Sequence, residues 1–231
     1  MGERATNNGI NSFFHLEVAK SGLAQRNKMN GNIVTTLFNG SSTLIKGACI
    51  ANPPTVIPNT YGNSEEQGFI SIVKKVAPQI NILHKTQNPE YLVKYSKHLK
   101  DKNNWEFTDF DRTNGDWYQN GFRVDLKVAS CDMVDTGKGL PSYVAGSIPV
   151  SSLYDFHQND GFSLYLCVSK DWSRMFVVDA DAAWDYAMSD SKLKKEIKNI
   201  AAQKTSGNGA IKCTAYVTVN HLPQSAWVEI F

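Results

Sequence analysis

The sequence contains few cysteines, and none of them are closely spaced. Its 231 residues include four cysteines, at positions 49, 131, 167 and 213. Structural zinc sites usually contain a tight pair such as CxxC, and disulfide-stabilised domains are short and dense in cysteine. The sequence therefore argues against a zinc site and against a disulfide framework, and we expect reduced thiols in a cytoplasmic protein.

Long apolar runs and a strong charge of one sign are also missing. No stretch approaches the roughly 20 apolar residues that span a bilayer, and no signal-peptide core follows Met1, so we expect no membrane segment. The formal net charge is only +2, which neither requires nor excludes a nucleic-acid partner. The five histidines show no metal-binding spacing such as HExxH.

The composition and the apolar periodicity predict one mixed α/β domain over residues 1–231. Hydrophobic residues make up 42% of the chain and charged residues 20%, which allows a large core. Helical spacing of apolar residues predicts helices near residues 64–77, 181–188 and 191–203. Another helix is expected from Asn88 and Pro89, with Leu92, Tyr95 and Leu99 as its apolar stripe. The apolar run 162–169 is typical of a strand that is buried on both faces.

Residues 116–128 predict a β-hairpin that brings two carboxylates together. Asn120-Gly121 is a strong signal for a two-residue type I′ turn, because both central positions need a positive φ. With this turn, Gln119 pairs with Phe122, and counting back places Asp116 opposite Asp125. Facing side chains have Cβ atoms roughly 4.5–5.5 Å apart, so two carboxylates there repel unless a cation lies between them. A divalent metal such as Mg²⁺, which prefers oxygen ligands, is the expected occupant.

The second strand of this hairpin adds a lysine to the two acids. Strand alternation places one apolar set and one charged set on opposite faces, namely Phe122, Val124, Leu126 and Val128 against Arg123, Asp125 and Lys127. Lys127 therefore lies beside Asp125 on the side of Asp116. Two carboxylates and a lysine around one metal suit phosphodiester hydrolysis, because the lysine can orient the attacking water or stabilise charge on the phosphate. A solvated strand face with scattered charges is the alternative interpretation.

This constellation resembles the PD-(D/E)XK nuclease superfamily, which includes most type II restriction endonucleases. Asp116 matches the first acid of the pattern, Asp125 the second and Lys127 the lysine, while Gly115 stands where the name-giving proline would be. The resemblance implies a restriction-endonuclease-like fold, in which helices flank a mixed central sheet. It also implies a Mg²⁺-dependent endonuclease that cuts duplex DNA at a short specific sequence, and a homodimer.

Other acids compete for a place in the predicted site. Many members of the superfamily carry a glutamate on the preceding helix, which makes Glu66 a candidate catalytic residue and Glu65 its rival. Both also suit the first turn of a helix for electrostatic reasons alone. Asp109 and Asp111 are rivals of Asp116 for the first acid.

Five polar residues near the hairpin are candidate DNA contacts. Amide side chains can read adenine and arginine can read guanine, while a lysine between two glycines can approach a phosphate. The candidates are Asn114, Gln119, Asn120, Arg123 and Lys138. Two other functions stay open: a structure-specific repair, recombination or phage nuclease, and a non-enzymatic binding protein. The second alternative leaves the cost of facing carboxylates unexplained.

Overall fold

The computed structural model describes residues 37–54, 64–101, 110, 114–120, 122–129, 145–157, 163–205 and 215–231. The described helices are α1 (Ser42–Ala51), α2 (Ser64–Val76), α3 (Pro89–Lys100), α4 (Val150–His157), α5 (Ala180–Ser189) and α6 (Ser191–Thr205). The described strands are β1 (Ile82–His84), β2 (Trp117–Gln119), β3 (Phe122–Val128), β4 (Ile148–Pro149), β5 (Ser163–Val168), β6 (Met175–Asp179), β7 (Tyr216–Val217) and β8 (Trp227–Glu229).

Six of these strands form a mixed, mostly antiparallel sheet. Their order is β1-β2-β3-β5-β6-β8, and β4 pairs separately with β7. β3 and β5 run parallel, whereas the other neighbouring pairs of the large sheet are antiparallel. The chain crosses from β3 to β5 through α4, so this helix lies against the parallel pair. The predicted mixed α/β class is confirmed.

Helices pack on both faces of the large sheet, which gives two hydrophobic cores. Leu164, Leu166 and Val168 of β5 join α1 and α2 in one core. Tyr165 and Cys167, which alternate with them, join α4, α5 and α6 in the other. β5 is therefore buried along its whole length, as its continuous apolar sequence predicted.

The start of α3 agrees with the sequence prediction, but its buried face does not. Asn88 caps the helix by accepting a 2.9 Å hydrogen bond from the Glu90 amide. The predicted apolar stripe is wrong, since Leu92 and Leu99 are exposed. Tyr91 is the buried residue of the helix, and its ring packs against those of Tyr95 and Phe110. The sequence of α3 contains two overlapping apolar stripes, and the aromatic one, with Tyr91 and Tyr95, is the one that packs towards the core.

A helix that crosses a bilayer must be long and apolar. None of the helices in the described ranges has the necessary length and hydropathy.

Candidate active site

The hairpin of β2 and β3 has the register that its sequence predicts. Trp117 pairs with Val124, and Gln119 pairs with Phe122. Asn120 has φ of +49°, the left-handed conformation that a type I′ turn requires. The register ends at Trp117, and the amide of the preceding residue, Asp116, donates to the Val124 carbonyl at 2.8 Å, one residue short of Asp125. Asp116 thus lies at the start of the hairpin, and its charge acts on Asp125 by raising the pKa of that carboxyl group.

Gly115, the residue before Asp116, has a backbone conformation that proline cannot adopt. Its φ is +69°, whereas the proline ring fixes φ near −65°. A Cβ atom at this position would also lie 2.8 Å from the Val124 carbonyl oxygen and 3.0 Å from the Phe156 ring. The chain therefore enters the site through a turn that favours glycine.

Asp125 and Lys127 lie on the face of β3 that α4 covers. Lys127 forms an ion pair with Asp125 Oδ1, and the Ser152 hydroxyl of α4 donates to Asp125 Oδ2 at 3.0 Å. Ser152 Oγ is also 3.0 Å from the hydroxyl of Tyr165 on β5. Two protein groups thus fix the Asp125 carboxylate, while Lys127 keeps part of its side chain exposed.

Glu66 and Lys85 complete the cluster on the other side of Asp116. Lys85 Nζ lies 3.0 Å from Asp116 Oδ1 and 3.4 Å from Glu66 Oε2. The other carboxylate oxygen of Asp116, Oδ2, accepts a 2.7 Å hydrogen bond from the Leu126 amide. Glu66, the first-turn glutamate that the sequence favoured over Glu65, is therefore in the cluster, and only 5% of it is exposed.

Two polar atoms in this cluster are buried and make no hydrogen bond among the described residues. They are Glu66 Oε2 and Nε2 of His84, and they lie 3.7 Å apart. The other ring nitrogen of His84 is engaged by Thr86. Leaving two buried polar atoms without hydrogen bonds is costly, so both atoms are candidates for contact with a bound ion, water or substrate.

The three carboxyl groups have very different acidities. Burial raises the pKa of Glu66 to about 9, and the Asp116 charge adds to this effect. Burial also raises the pKa of Asp125 to about 6, against the attraction of Lys127. At Asp116, burial opposes ionisation, but Lys85, Lys127 and the Leu126 amide together lower the pKa to about 2. Asp116 is therefore the carboxyl group of the site that stays ionised at neutral and mildly acidic pH.

The donor set fits a hard divalent cation that keeps most of its water ligands. The charge of Asp116 helps to raise the pKa of Asp125, so the two carboxyl groups lie near enough to interact and would be the ligands of a shared ion. Among the described residues, no three His, Cys, Asp or Glu side chains form a complete metal cage. Mg²⁺ usually binds proteins through one or two carboxylates and takes its other ligands from water and phosphate. Asp116 and Asp125 are the residues that would hold it.

Two of the predicted DNA contacts are corrected by their burial. Gln119 is 0% exposed, and its amide accepts from Trp117 Nε1 and donates to the Leu37 carbonyl within the core. The prediction that it reads a base is wrong for this reason. Arg123 is also buried, with its guanidinium over the Phe156 ring, so this conformation does not present it to a duplex.

The remaining candidates differ in their surroundings. Asn114 accepts a hydrogen bond from the Tyr118 hydroxyl at 3.0 Å and donates to the Phe110 carbonyl. Asn120 is exposed at the tip of the hairpin. Lys138, Asp109 and Asp111 lie outside the described residues.

Sequence reasoning missed four side chains of the cluster: His84, Lys85, Ser152 and Tyr165. Ile80, Ile82 and His84 alternate with polar or exposed positions, and this short period-2 pattern was the available signal for β1. The position of Lys85 follows from β1 pairing with β2, which no local pattern encodes.

Comparison with known proteins gave no relatives. No family model, curated protein or solved structure matches this chain.

Proposed function

We propose that this protein is a divalent-metal-dependent endonuclease of the PD-(D/E)XK type that hydrolyses phosphodiester bonds of duplex DNA. The observation that carries the proposal is the proximity of Asp116 and Asp125 at the β2–β3 hairpin, with Lys127 paired to Asp125. Lys85 and Lys127 pair with these carboxylates, yet burial still raises the pKa of Asp125 to about 6. A divalent cation would compensate the remaining cost of burying this carboxylate, and a binding protein has no need of one.

Each residue of the site has a distinct part in the proposed reaction. Mg²⁺, when bound, supplies positive charge at the scissile phosphate and makes a bound water more acidic. Asp116 and Asp125 hold it, and Ser152 fixes the carboxylate of Asp125 in one orientation. Lys127 stays charged, because the attraction of Asp125 and Asp116 raises its pKa against the effect of burial. Its ammonium can therefore orient the attacking water or neutralise charge that develops on the phosphate.

The arrangement of elements supports the same proposal. A helix bearing Glu66 precedes a hairpin with an acid at the start of one strand and acid-x-Lys on the next, and helices flank the sheet. This order is compatible with a restriction-endonuclease-like fold. Type II restriction cleavage at a short palindrome, by a homodimer whose twofold axis matches that of the DNA, is the form of the activity that we propose.

Digestion of long duplex DNA tests the proposal. The purified protein is incubated with phage-length DNA in Mg²⁺ or in chelator, alongside Asp125→Asn and, as a control, Lys97→Met, which changes an exposed lysine of α3. We expect discrete fragments that require Mg²⁺, disappear in Asp125→Asn and persist in Lys97→Met. A Mg²⁺-dependent smear would instead favour a structure-specific or nonspecific nuclease. If the DNA stays intact and Mg²⁺ does not bind in calorimetry, the proposal is wrong.

A further inference from the structure

Lys85 is a buried lysine at the centre of the acidic cluster. Only 6% of the residue is exposed. Lysine is almost never buried to this extent unless it is paired, because its ammonium group is strongly hydrated. Its partners here are Asp116 at 3.0 Å and Glu66 at 3.4 Å, so the ammonium lies between two carboxylates.

The sheet fixes Lys85 in this position. β1 pairs with β2 so that His84 lies opposite Trp117, and the next residue along each strand places Lys85 opposite Asp116. The Lys85 amide donates to the Asp116 carbonyl at 3.1 Å, which continues the pairing by one residue. The backbone hydrogen bond thus fixes the main chain of Lys85, and the two ion pairs fix its ammonium group.

An ammonium between two carboxylates occupies the place of a cation. In two-metal hydrolases the ions lie about 3.5–4 Å apart and share a bridging carboxylate, and each neutralises charge on the reacting phosphate. Here Asp116 is the central carboxylate, with Asp125 on one side and Glu66 on the other. Lys85 fills the position between Asp116 and Glu66, and a metal held by Asp116 and Asp125 would lie on the other side of Asp116.

The charge of the cluster also favours one divalent ion over two. Because the pKa of Glu66 is raised to about 9, the charged groups at neutral pH are the carboxylates of Asp116 and Asp125 and the ammonium groups of Lys85 and Lys127, which sum to zero. One divalent cation brings the cluster to +2, and a bound phosphodiester lowers this to +1. A second divalent cation would bring the cluster to +4 in a buried site, where uncompensated charge is expensive.

We propose that the Lys85 ammonium takes the place of a second metal ion, so that this site binds one divalent cation per chain. The proposal rests on the proposed function, because it assumes a metal between Asp116 and Asp125. It assigns Lys85 the role of a fixed positive charge that orders Asp116 and Glu66.

Counting bound Mn²⁺ on the DNA-free protein tests this role without measuring activity. We expect equilibrium dialysis to give one Mn²⁺ per chain for the wild type and two for Lys85→Met. The electron paramagnetic resonance spectrum of Lys85→Met should also show the spin coupling of two neighbouring Mn²⁺ ions. The double variant Glu66→Gln, Lys85→Met loses the second pair of ligands and should return to one. Lys97→Met, the same change at an exposed lysine of α3, should also bind one.

The possible outcomes separate this inference from the proposed function. Two ions on the wild type, or one ion on a folded Lys85→Met, would refute the role of Lys85 and leave the nuclease proposal standing. No Mn²⁺ on any of the proteins would refute the metal site itself. If Lys85→Met is unfolded without metal, refolding by Mn²⁺ with two ions bound supports the inference. Failure to refold at any Mn²⁺ concentration overturns it.

Discussion

Glu66 should destabilise the metal-free protein at neutral pH, and Glu66→Gln should relieve this cost. The carboxyl group is buried in α2 next to Asp116, and its pKa rises from 4.5 to about 9. The folded protein therefore keeps a proton that the unfolded chain releases above pH 4.5. Stability from this group is fully present below pH 4.5 and is lost as the pH rises towards 9. Glutamine has nearly the same shape but cannot ionise.

The size of the effect follows from the shift. At pH 7.5, which is about three units above the pKa of 4.5 in the unfolded chain, Glu66 is ionised in the unfolded chain and protonated in the folded protein. This difference favours unfolding by about 4 kcal/mol, at 1.36 kcal/mol per pH unit. The amide N–H of glutamine can donate to Asp116 in place of the protonated carboxyl, at a cost of up to about 1 kcal/mol for a longer or less well aligned hydrogen bond. We therefore expect Glu66→Gln to be more stable than wild type by about 2–4 kcal/mol at pH 7.5. The advantage should shrink to less than about 1 kcal/mol at pH 5.

Urea denaturation in chelator at pH 5 and pH 7.5 measures this difference. The matched control is Glu90→Gln on the exposed side of α3, which should change the free energy of unfolding by no more than about 0.5 kcal/mol at either pH. If Glu66→Gln is less stable than wild type by the same amount at both pH values, the reasoning is refuted. In that case Glu66 is ionised in the folded protein, and its ion pair with Lys85 outweighs the cost of burial.

Three further outcomes follow from the geometry of the site. Gly115→Ala should destabilise the protein by about 1–3 kcal/mol in thermal unfolding, because φ at this residue is positive and an added Cβ atom would meet the backbone of Val124. The control is Gly47→Ala in α1, where an added Cβ atom meets nothing, so this variant should be neutral or more stable by up to about 1 kcal/mol. Ser152→Ala removes a hydrogen bond that stabilises the ionised form of Asp125, so the acid limb of the cleavage pH profile should shift to higher pH by about 0.5–1 unit. An unchanged profile would show that Ser152 does not affect the pKa of Asp125. Mg²⁺ at 100 times its dissociation constant should stabilise the wild type by about 2.7 kcal/mol, and an equal gain in Asp125→Asn would place the metal elsewhere.

The central hairpin could be predicted from sequence because its register is a local property. Asn120-Gly121 predicts the turn, and the turn fixes every pair back to Trp117. Alternation then correctly assigned Asp125 and Lys127 to one face. The same reasoning failed for Gln119 and Arg123, because alternation tells which residues share a face and does not tell whether another element covers it.

The other half of the site depends on contacts that are distant in sequence. Lys85 and Asp116 are 31 positions apart, and Asp125 and Ser152 are 27 positions apart. Each contact requires a strand or helix to be placed beside the hairpin, and this placement comes from the packing of the whole sheet. No residue pattern near Lys85 announces its partners.

The most direct test of the nuclease proposal is the single-turnover cleavage of supercoiled plasmid DNA with the protein in excess. One cut per molecule is then visible, whether or not the protein turns over. The account predicts Mg²⁺-dependent nicking or linearisation by the wild type, and a rate at least about 10³-fold lower for both Asp125→Asn and Lys127→Met. Uncut plasmids covering many sequences, or equal cleavage by the wild type and both variants, would contradict it.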